Sequence, residues 1–238
     1  MKKVFVGLLM ISIVVIGYFY FSSKVVEAPK TEEKKQEEIV MLTVASSSKQ
    51  IVKENYNINF DFPFTNQEKI DSEISKIVDT SISTFEQEIS NFNPAPTGIE
   101  RPYTLSGTYK SYLGNKYDNF VFLISIDFGG AHPNHFYKTL TFDKNQNVVS
   151  IQNILDKELS GISTVNKISQ LVIMQITKKL GVNANPEMIE AGAGPNIENF
   201  RNFYIEGDEI VFIFEPYAVA AYAYSSQEAR IKFSDLKM

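Results

Sequence analysis

The sequence predicts an α+β domain that follows an N-terminal membrane anchor. Two observations predict the fold class: several segments alternate polar and apolar residues with the period of a strand, and two long segments repeat apolar residues with the period of a helix. The two patterns are segregated along the chain, which is typical of α+β folds with antiparallel or mixed sheets and, here, two main helices. Of the 238 residues, 44% are hydrophobic and 21% are charged, as expected for a globular domain.

The first strand and the first helix are predicted near the start of this domain. Residues 51–62 alternate polar and apolar positions, which predicts a strand with one buried face that ends at Pro63. Thr65 and Glu68 have the spacing of a helix capping box, and the prolines in residues 93–96 are expected to end the helix. Its apolar positions at helical spacing are Ile70, Ile74, Ile77, Val78, Ile82, Phe85 and Ile89.

Four strands are predicted after this helix, and a turn at residues 145–147 separates the last of them from the others. The second is so apolar that we expect it at the centre of a sheet. The four predicted strands span residues 103–113, 119–128, 136–142 and 148–151.

The second half of the domain is predicted to contain the second long helix, over residues 163–180. Gly181 is expected to end it, because glycine is common just after helix C-termini. Residues 183–199 are predicted to be a loop because they contain glycines and prolines without an apolar period. The other predicted elements are a helical turn at 153–156, a hairpin of 202–205 and 209–214, a strand at 229–233 and a C-terminal turn from Ser234.

The N-terminal segment, residues 1–24, is predicted to be a signal anchor. Two lysines precede an uncharged run of 18 residues, which is long enough to span a membrane and longer than most cleaved signals. The plausible cleavage site at Ala28 is followed by Pro29, which disfavours cleavage. We therefore expect a single-pass protein of the cytoplasmic membrane with its domain outside, or a secreted protein if the signal is cleaved. Residues 25–49 are mostly polar and are predicted to form a stalk.

Composition excludes several classes of function. The formal net charge is −5 and no basic stripe is visible, so binding to nucleic acid is not expected. The absence of cysteine excludes disulfides, thiolate metal sites, a cysteine nucleophile and a lipid-modified cysteine.

The two histidines, His132 and His135, lie in and just after the sequence GGAHP at residues 129–133. With Asp127 they could form a two-histidine, one-carboxylate metal site. However, their spacing fits no standard metalloenzyme helix motif, and Pro133 lies between them. We therefore predict a sharp turn between strands, with no metal and no cofactor.

Thr141, Phe142 and Asp143 resemble the beginning of the TFDD motif of polysaccharide deacetylases. Lys144 takes the place of the second aspartate, and both histidines precede the motif, so we interpret the likeness as accidental. Because the sequence also lacks a nucleophile elbow and a phosphate-binding loop, no catalytic residue is assigned.

Three tyrosines lie in an alanine-rich segment near the C-terminus: Tyr217, Tyr222 and Tyr224. Small neighbours would leave their rings accessible to a sugar or a protein partner. The competing interpretation is that the rings pack within the fold. The first interpretation adds these tyrosines to His132 and His135 as candidate ligand-binding residues.

An ordered set of motifs resembles the DUF3298 family. The motifs are GGAHP at 129–133, LTFD at 140–143, VSIQNIL at 149–155, FIFEPYAVAAYA at 212–223 and IKFSDL at 231–236. Residues 51–128 resemble the companion domain DUF4163, also called the PdaC-type domain. The resemblance implies two intimately packed halves, residues 50–150 and 151–238, on the cell surface.

The resemblance also suggests a function. Relatives include peptidoglycan deacetylases, in which this module precedes a separate catalytic domain, and anti-sigma factors, in which it is the extracytoplasmic lysozyme receptor. This sequence is expected to lack both a cytoplasmic domain and a deacetylase domain. We therefore predict a noncatalytic binding module of the cell envelope whose ligand is a lysozyme-like protein or a peptidoglycan-related glycan. The alternative hypothesis is a cell-wall-modifying hydrolase that uses His132, His135 and nearby carboxylates.

Overall fold

A computed structural model describes residues 41–91, 101–158 and 163–237, which lie in one compact unit. The described strands form two sheets, and the helices lie on the outer faces of these sheets. The layers follow in the order helix, five-stranded sheet, three-stranded sheet, helices. The predicted α+β class with mixed and antiparallel sheets is confirmed.

The first sheet contains the first five described strands in chain order. They are β1 (Ala45–Val52), β2 (Tyr56–Phe64), β3 (Tyr103–Leu113), β4 (Tyr117–Asp127) and β5 (Asn134–Asp143). Neighbouring strands are antiparallel except β2 and β3, which are parallel and are connected across the helix α1 (Glu68–Asn91). One parallel pair within an otherwise antiparallel order makes this sheet mixed.

Helix α1 covers one face of the first sheet, as its apolar spacing predicted. Ile70, Ile74, Val78, Ile82 and Phe85 are buried against alternate residues of the strands beneath them. The helix begins as expected near Thr65, whose Oγ1 accepts a hydrogen bond from the backbone N of Gln67 at 3.2 Å. The side chain that closes this cap is Asp71, not the predicted Glu68, since Asp71 Oδ1 accepts from both N and Oγ1 of Thr65 at 2.8 Å.

The second sheet and its helices come from the rest of the chain. Its strands are β6 (Phe203–Glu206), β7 (Glu209–Phe214) and β8 (Gln227–Lys232), all antiparallel. One face packs on α2 (Ile151–Glu158), α3 (Ser163–Leu180), α4 (Pro186–Ala193) and α5 (Phe233–Leu236) through a second apolar core. The bounds of α3 agree with the prediction, and Gly181 follows it with a φ of +57°.

The two sheets meet through a third apolar cluster in which Val121 of β4 packs with Tyr204, Val211 and Ile213. The side chain of Asn119 crosses this junction. Its Nδ2 donates to the carbonyl of Ile205 at 3.0 Å, and its Oδ1 accepts from the N–H of Ile205 at 3.0 Å. The side-chain amide thus makes the two hydrogen bonds with Ile205 that a paired strand would make at the edge of β6. The predicted division at residue 150 stays a prediction.

The structure corrects the prediction for the first strand. Residues 51–62 are the end of β1, a tight turn and most of β2, and residues 45–49 of the predicted stalk belong to β1. Pro63 does not end β2. It lies beyond Phe60, where pairing with β3 stops, so β2 is paired there only with β1 and a missing N–H is tolerated.

Two further predictions were wrong in the second half. Residues 183–199 contain α4 and a 3-10 turn (Ile197–Phe200) where a loop was predicted. Asn185 caps α4 by accepting from the backbone N of Met188 at 3.1 Å, and Pro186 occupies the first helical turn. The predicted strand at 148–151 is a single bridge between Phe142 and Val148, because α2 begins at Ile151.

The predicted anchor, residues 1–24, lies outside the described residues, as does the stalk up to residue 40. Among the helices that the structure describes, none is both long and apolar enough to cross a membrane.

Candidate binding site: an aromatic cluster between two loops

Two loops from different sheets meet beside the free edge of β5. One is the β4–β5 loop, residues 128–133, and the other is the β7–β8 loop, residues 215–226. The ring of His132 stacks on that of Tyr222 with centroids 3.8 Å apart and planes at 19°. Tyr217 continues the row, since its ring centroid lies 5.5 Å from that of Tyr222. We call His132, Tyr217 and Tyr222 the aromatic cluster.

A hydrogen bond also joins the two loops. The hydroxyl of Tyr222 donates to the carbonyl oxygen of Pro133 at 3.0 Å. Stacked or tilted aromatic pairs add about 0.5–1.5 kcal/mol beyond their buried area, and a neutral hydrogen bond adds about 1 kcal/mol. These contacts are enough to fix the position of one loop against the other.

Exposure differs among the rings of the aromatic cluster. Tyr217 keeps 57% of its surface exposed, and His132 is also exposed. Tyr222 is half-buried between them. An exposed ring held by a half-buried one is a typical anchor for a partner, because little side-chain entropy remains to be lost on binding.

Tyr217 has a strained backbone. Its φ is +69°, in the left-handed region that a bulky side chain rarely adopts. The turn closes on itself: the N–H of Tyr217 donates to the carbonyl of Ala220 at 3.1 Å, and that of Ala218 donates to the carbonyl of Glu215 at 3.0 Å. Such a conformation costs about 1–3 kcal/mol and is most often retained at functional sites.

Glu215 ties the β7–β8 loop to the first sheet. Its Oε1 accepts from the backbone N of Tyr137, on the free edge of β5, at 2.9 Å, and from Nδ2 of Asn202 at 3.4 Å. The hydroxyl of Tyr137 lies 3.0 Å from Oγ of Ser226, at the other end of the same loop. The supporting roles of Glu215, Tyr137 and Ser226 could not be predicted, since no sequence pattern indicates which carboxylate faces which strand.

The other two candidate residues lie next to the aromatic cluster but are not part of it. Tyr224 ends the 3-10 turn Tyr222–Tyr224, is 39% exposed, and accepts a hydrogen bond at its carbonyl from Gln227 Nε2 at 2.5 Å. His135 lies in β5, and its Nδ1 is buried without a hydrogen-bond partner. That these five residues bind a ligand stays a prediction.

The structure gives other partners to two of the three residues of the metal-dependent alternative, Asp127 and His132. Asp127 is paired with Arg101 at 3.0 Å and accepts from the N–H of Gly129 at 2.8 Å. Nδ1 of His132 forms a hydrogen bond with the carbonyl oxygen of Pro133, 3.1 Å away. Within the described ranges, no group of three histidine, aspartate or glutamate side chains is close enough to hold a metal ion.

The deacetylase-like residues have structural roles. Phe142 is buried in the first core, and Thr141 donates to Asn119 Oδ1 at 3.0 Å. Asp143 closes the following turn. Partial burial acts to raise the pKa of Asp143, but hydrogen bonds from Asn147 and Asn145 outweigh it and lower that pKa below its ordinary value. The carboxylate therefore stays charged and stabilises the turn.

A cavity of about 540 Å³ lies at the opposite end of β4 and β5. It is lined by the beginning of α1, the exposed ring of Phe64 and an ion pair between Lys144 and Asp118 at 2.8 Å. It shares no residue with the aromatic cluster. Its charged pair is already satisfied within the protein.

Part of the second half of the chain matches a known family. The model of the DUF3298 family, described as a protein of unknown function, matches residues 153–234. The peptidoglycan-N-acetylmuramic acid deacetylase PdaC of Bacillus subtilis is 26% identical over 188 residues, or 77% of this chain, and this match spans only 38% of PdaC. The immunogenic protein MPT64 of Mycobacterium tuberculosis is 25% identical over 168 residues, or 68% of each chain.

Two solved structures share the fold. A DUF3298 member from Bacteroides fragilis aligns over 81% of this chain and 92% of its own, with a TM-score of 0.53 and 13% identity. A DUF3298 protein from Pseudomonas aeruginosa aligns over 83% and 94%, with a TM-score of 0.54 and 12% identity. The DUF4163 resemblance of residues 51–128 stays a prediction. Residues 153–234 thus match the DUF3298 family, and the fold of the described residues is similar to that of two solved members of that family.

Proposed function

We propose that this protein is a noncatalytic binding module of the cell envelope and that the aromatic cluster is its ligand-binding surface. The observation that carries the proposal is the row of rings from His132 to Tyr217, which is held in place on one side and exposed on the other. The strain at Tyr217 supports it, because bulky residues held at positive φ cluster at binding and active sites.

The charge around the aromatic cluster favours a basic or uncharged partner. Residues 128–137 carry no charge, and residues 213–229 contain Glu215 and Glu228 but no lysine or arginine. Loops with so few charges do not repel a cationic protein, and they do not hinder the binding of an uncharged glycan. We therefore propose a lysozyme-like protein as the ligand, with an uncharged stretch of peptidoglycan-related glycan as the second candidate.

We also propose that the domain is held outside the cytoplasmic membrane by residues 1–24. The support is the uncharged run of 18 residues and Pro29 after the plausible cleavage site. N-terminal sequencing of the protein from the membrane fraction is expected to find residues upstream of Ala28. A mature chain that begins at Pro29 would show that the signal is cleaved and the protein secreted.

A second candidate function is a cell-wall hydrolase, favoured by the relationship to PdaC, whose name describes a deacetylase. The chain spans 38% of PdaC, and the deacetylase-like residues here serve the turn at Asp143. Measurement of metal content in the purified protein tests this candidate. One divalent ion per chain, together with release of acetate or of reducing sugar from peptidoglycan, would favour it.

Direct binding tests the proposal. Residues 41–238, which include all of β1, are titrated with lysozyme and separately with peptidoglycan fragments in a calorimeter. We expect lysozyme binding that is weakened by about 2 kcal/mol in Tyr217→Ala and in Tyr222→Ala, as for central aromatic anchors. Phe64→Ala is the matched control, because Phe64 is an exposed ring in β2 of the first sheet and is not part of the aromatic cluster. Equal binding by all four proteins would refute the assignment of the surface.

A further inference from the structure

Helix α4 touches the β7–β8 loop at Gly192, at a distance that only glycine allows. A Cβ atom at Gly192 would lie 1.9 Å from the carbonyl oxygen of Ala218 and 2.7 Å from its carbonyl carbon. It would also lie 2.9 Å from Cγ1 of Val219. Two of these three neighbours are backbone atoms, so a side chain at this position cannot be accommodated by a rotamer change.

The helix side of this contact is firmly held. The buried Ser169 of α3 donates from Oγ to the carbonyl of Ala193 at 2.7 Å. Nδ2 of Asn199 donates to the carbonyl of Gly194 at 3.0 Å, just beyond the end of α4. Ile189 and Ala193 are buried in the second core. If space were needed at Gly192, the loop would therefore have to move rather than the helix.

The loop side connects directly to the aromatic cluster. Ala218 follows Tyr217, Val219 is fully buried, and Ala220 accepts the hydrogen bond of the Tyr217 N–H. Because residues 215–220 close on themselves through two hydrogen bonds, they move as one unit. A displacement of the Ala218 carbonyl would therefore move Tyr217 and, through it, the contact with Tyr222.

We propose that α4 is the positioning element of the aromatic cluster, that Gly192 is the positioning residue, and that Ser169 holds α4 in place. The inference rests on the proposed function only in that it explains how the proposed binding surface is presented. The sequence pattern gives no sign of this role, because residues 183–199 lack an apolar period and predict a loop where α4 lies.

The histidine rings provide a readout that a general loss of stability would not move selectively. The chain has two histidines, so selective ¹⁵N labelling of histidine in the full chain in detergent gives two imidazole spectra. The His132 ring lies 3.8 Å from the Tyr222 ring and should carry a ring-current shift, which Tyr222→Leu removes and thereby calibrates. His135, in β5, serves as the internal reference.

We expect Gly192→Ala to move the His132 signals toward their positions in Tyr222→Leu and to leave those of His135 in place. We also expect it to weaken binding of lysozyme, the probe used, at least tenfold. Ala191→Ser, on the exposed side of α4, should change neither quantity. Unchanged His132 signals and unchanged binding in Gly192→Ala would overturn the proposal.

A second variant decides the matter if Gly192→Ala does not fold. Ser169→Ala removes the hydrogen bond to Ala193 without adding volume, and it should move the His132 signals in the same direction by a smaller amount. No shift in Ser169→Ala would then overturn the proposal. A His132 shift in a protein whose parent form binds neither lysozyme nor peptidoglycan fragments would support the positioning role and refute the proposed function.

Discussion

Among the described residues, aromatic rings from the two sheets and their loops stack across the sheets in two places, with nearly the same geometry and different surroundings. In the junction between the sheets, Tyr112 and Tyr204 stack with centroids 4.0 Å apart and planes at 21°. Between the loops, His132 and Tyr222 stack at 3.8 Å and 19°. Tyr204 is almost completely buried, whereas His132 is exposed and Tyr222 is half-buried.

The junction between the sheets is closed by groups that leave no room for a ligand. The hydroxyl of Tyr204 accepts a hydrogen bond from Arg230 at 3.0 Å, and Asn119 satisfies the backbone of Ile205. Burial, followed by the hydrogen bond with Tyr112, raises the pKa of Tyr204 above its ordinary value. The stack of His132 on Tyr222 is not enclosed by such groups. Ring stacking therefore stabilises the fold where water is excluded, and it presents a surface where one side stays open.

The first prediction concerns the buried stack of Tyr112 and Tyr204. Tyr204→Ala should lower the free energy of unfolding by about 3–5 kcal/mol, because a fully buried aromatic ring leaves a cavity between the sheets. Urea denaturation measures the loss. Tyr224→Ala, an exposed tyrosine, is the control and should cost less than about 1 kcal/mol. Similar losses in both variants would remove the contrast between the buried and the exposed rings.

The second prediction concerns the amide that joins the sheets. Asn119→Ala should destabilise the protein by about 3 kcal/mol, since the N–H and C=O of Ile205 and the carbonyl of Tyr112 lose their partner in a buried place. Chemical denaturation is again the measurement. Asn145→Ala, at an exposed turn, should change stability by less than about 0.5 kcal/mol. A loss below 1 kcal/mol at Asn119 would mean that water replaces the amide.

The third prediction concerns the exposed stack of His132 and Tyr222. Tyr222→Ala should cost about 2 kcal/mol of stability, because the half-buried ring loses its contacts with His132 and Tyr217 and one hydrogen bond. Tyr222→Phe keeps the ring and isolates the hydrogen bond to Pro133, which should account for about 1 kcal/mol. Thermal melts of both variants separate the contribution of the ring contacts from that of the hydrogen bond. A loss above 3 kcal/mol in Tyr222→Ala would place this ring with the core residues.

The fourth and smallest prediction concerns the strained end of the aromatic cluster. Tyr217→Gly should be more stable than Tyr217→Ala by about 1 kcal/mol, since glycine adopts a φ of +69° without a steric penalty. Both variants should bind lysozyme equally weakly, because both lack the ring. Paired denaturation and titration experiments compare them. If alanine were as stable as glycine at this position, the left-handed backbone would not be a source of strain.

The sequence by itself determined the elements with a strong and uninterrupted period. Helices α1 and α3, strands β3 and β4 and the β6–β7 hairpin follow from apolar spacing and from turn residues such as Gly207. It also determined which loops carry unusual residues, because His132 and Tyr217 stand out beside glycines and alanines. These features could be predicted because they depend on residues that are close together in the chain.

Tertiary structure decided the rest. β1 is a serine-rich strand that owes its conformation to pairing with β2, and α4 is an eight-residue helix stabilised by its capping residue and its contact with α3. The stacking of His132 on Tyr222, the hold of Glu215 on β5 and the close approach at Gly192 each join residues that are distant in sequence. No local pattern specifies such contacts, because they arise only when both sheets and their helices pack together.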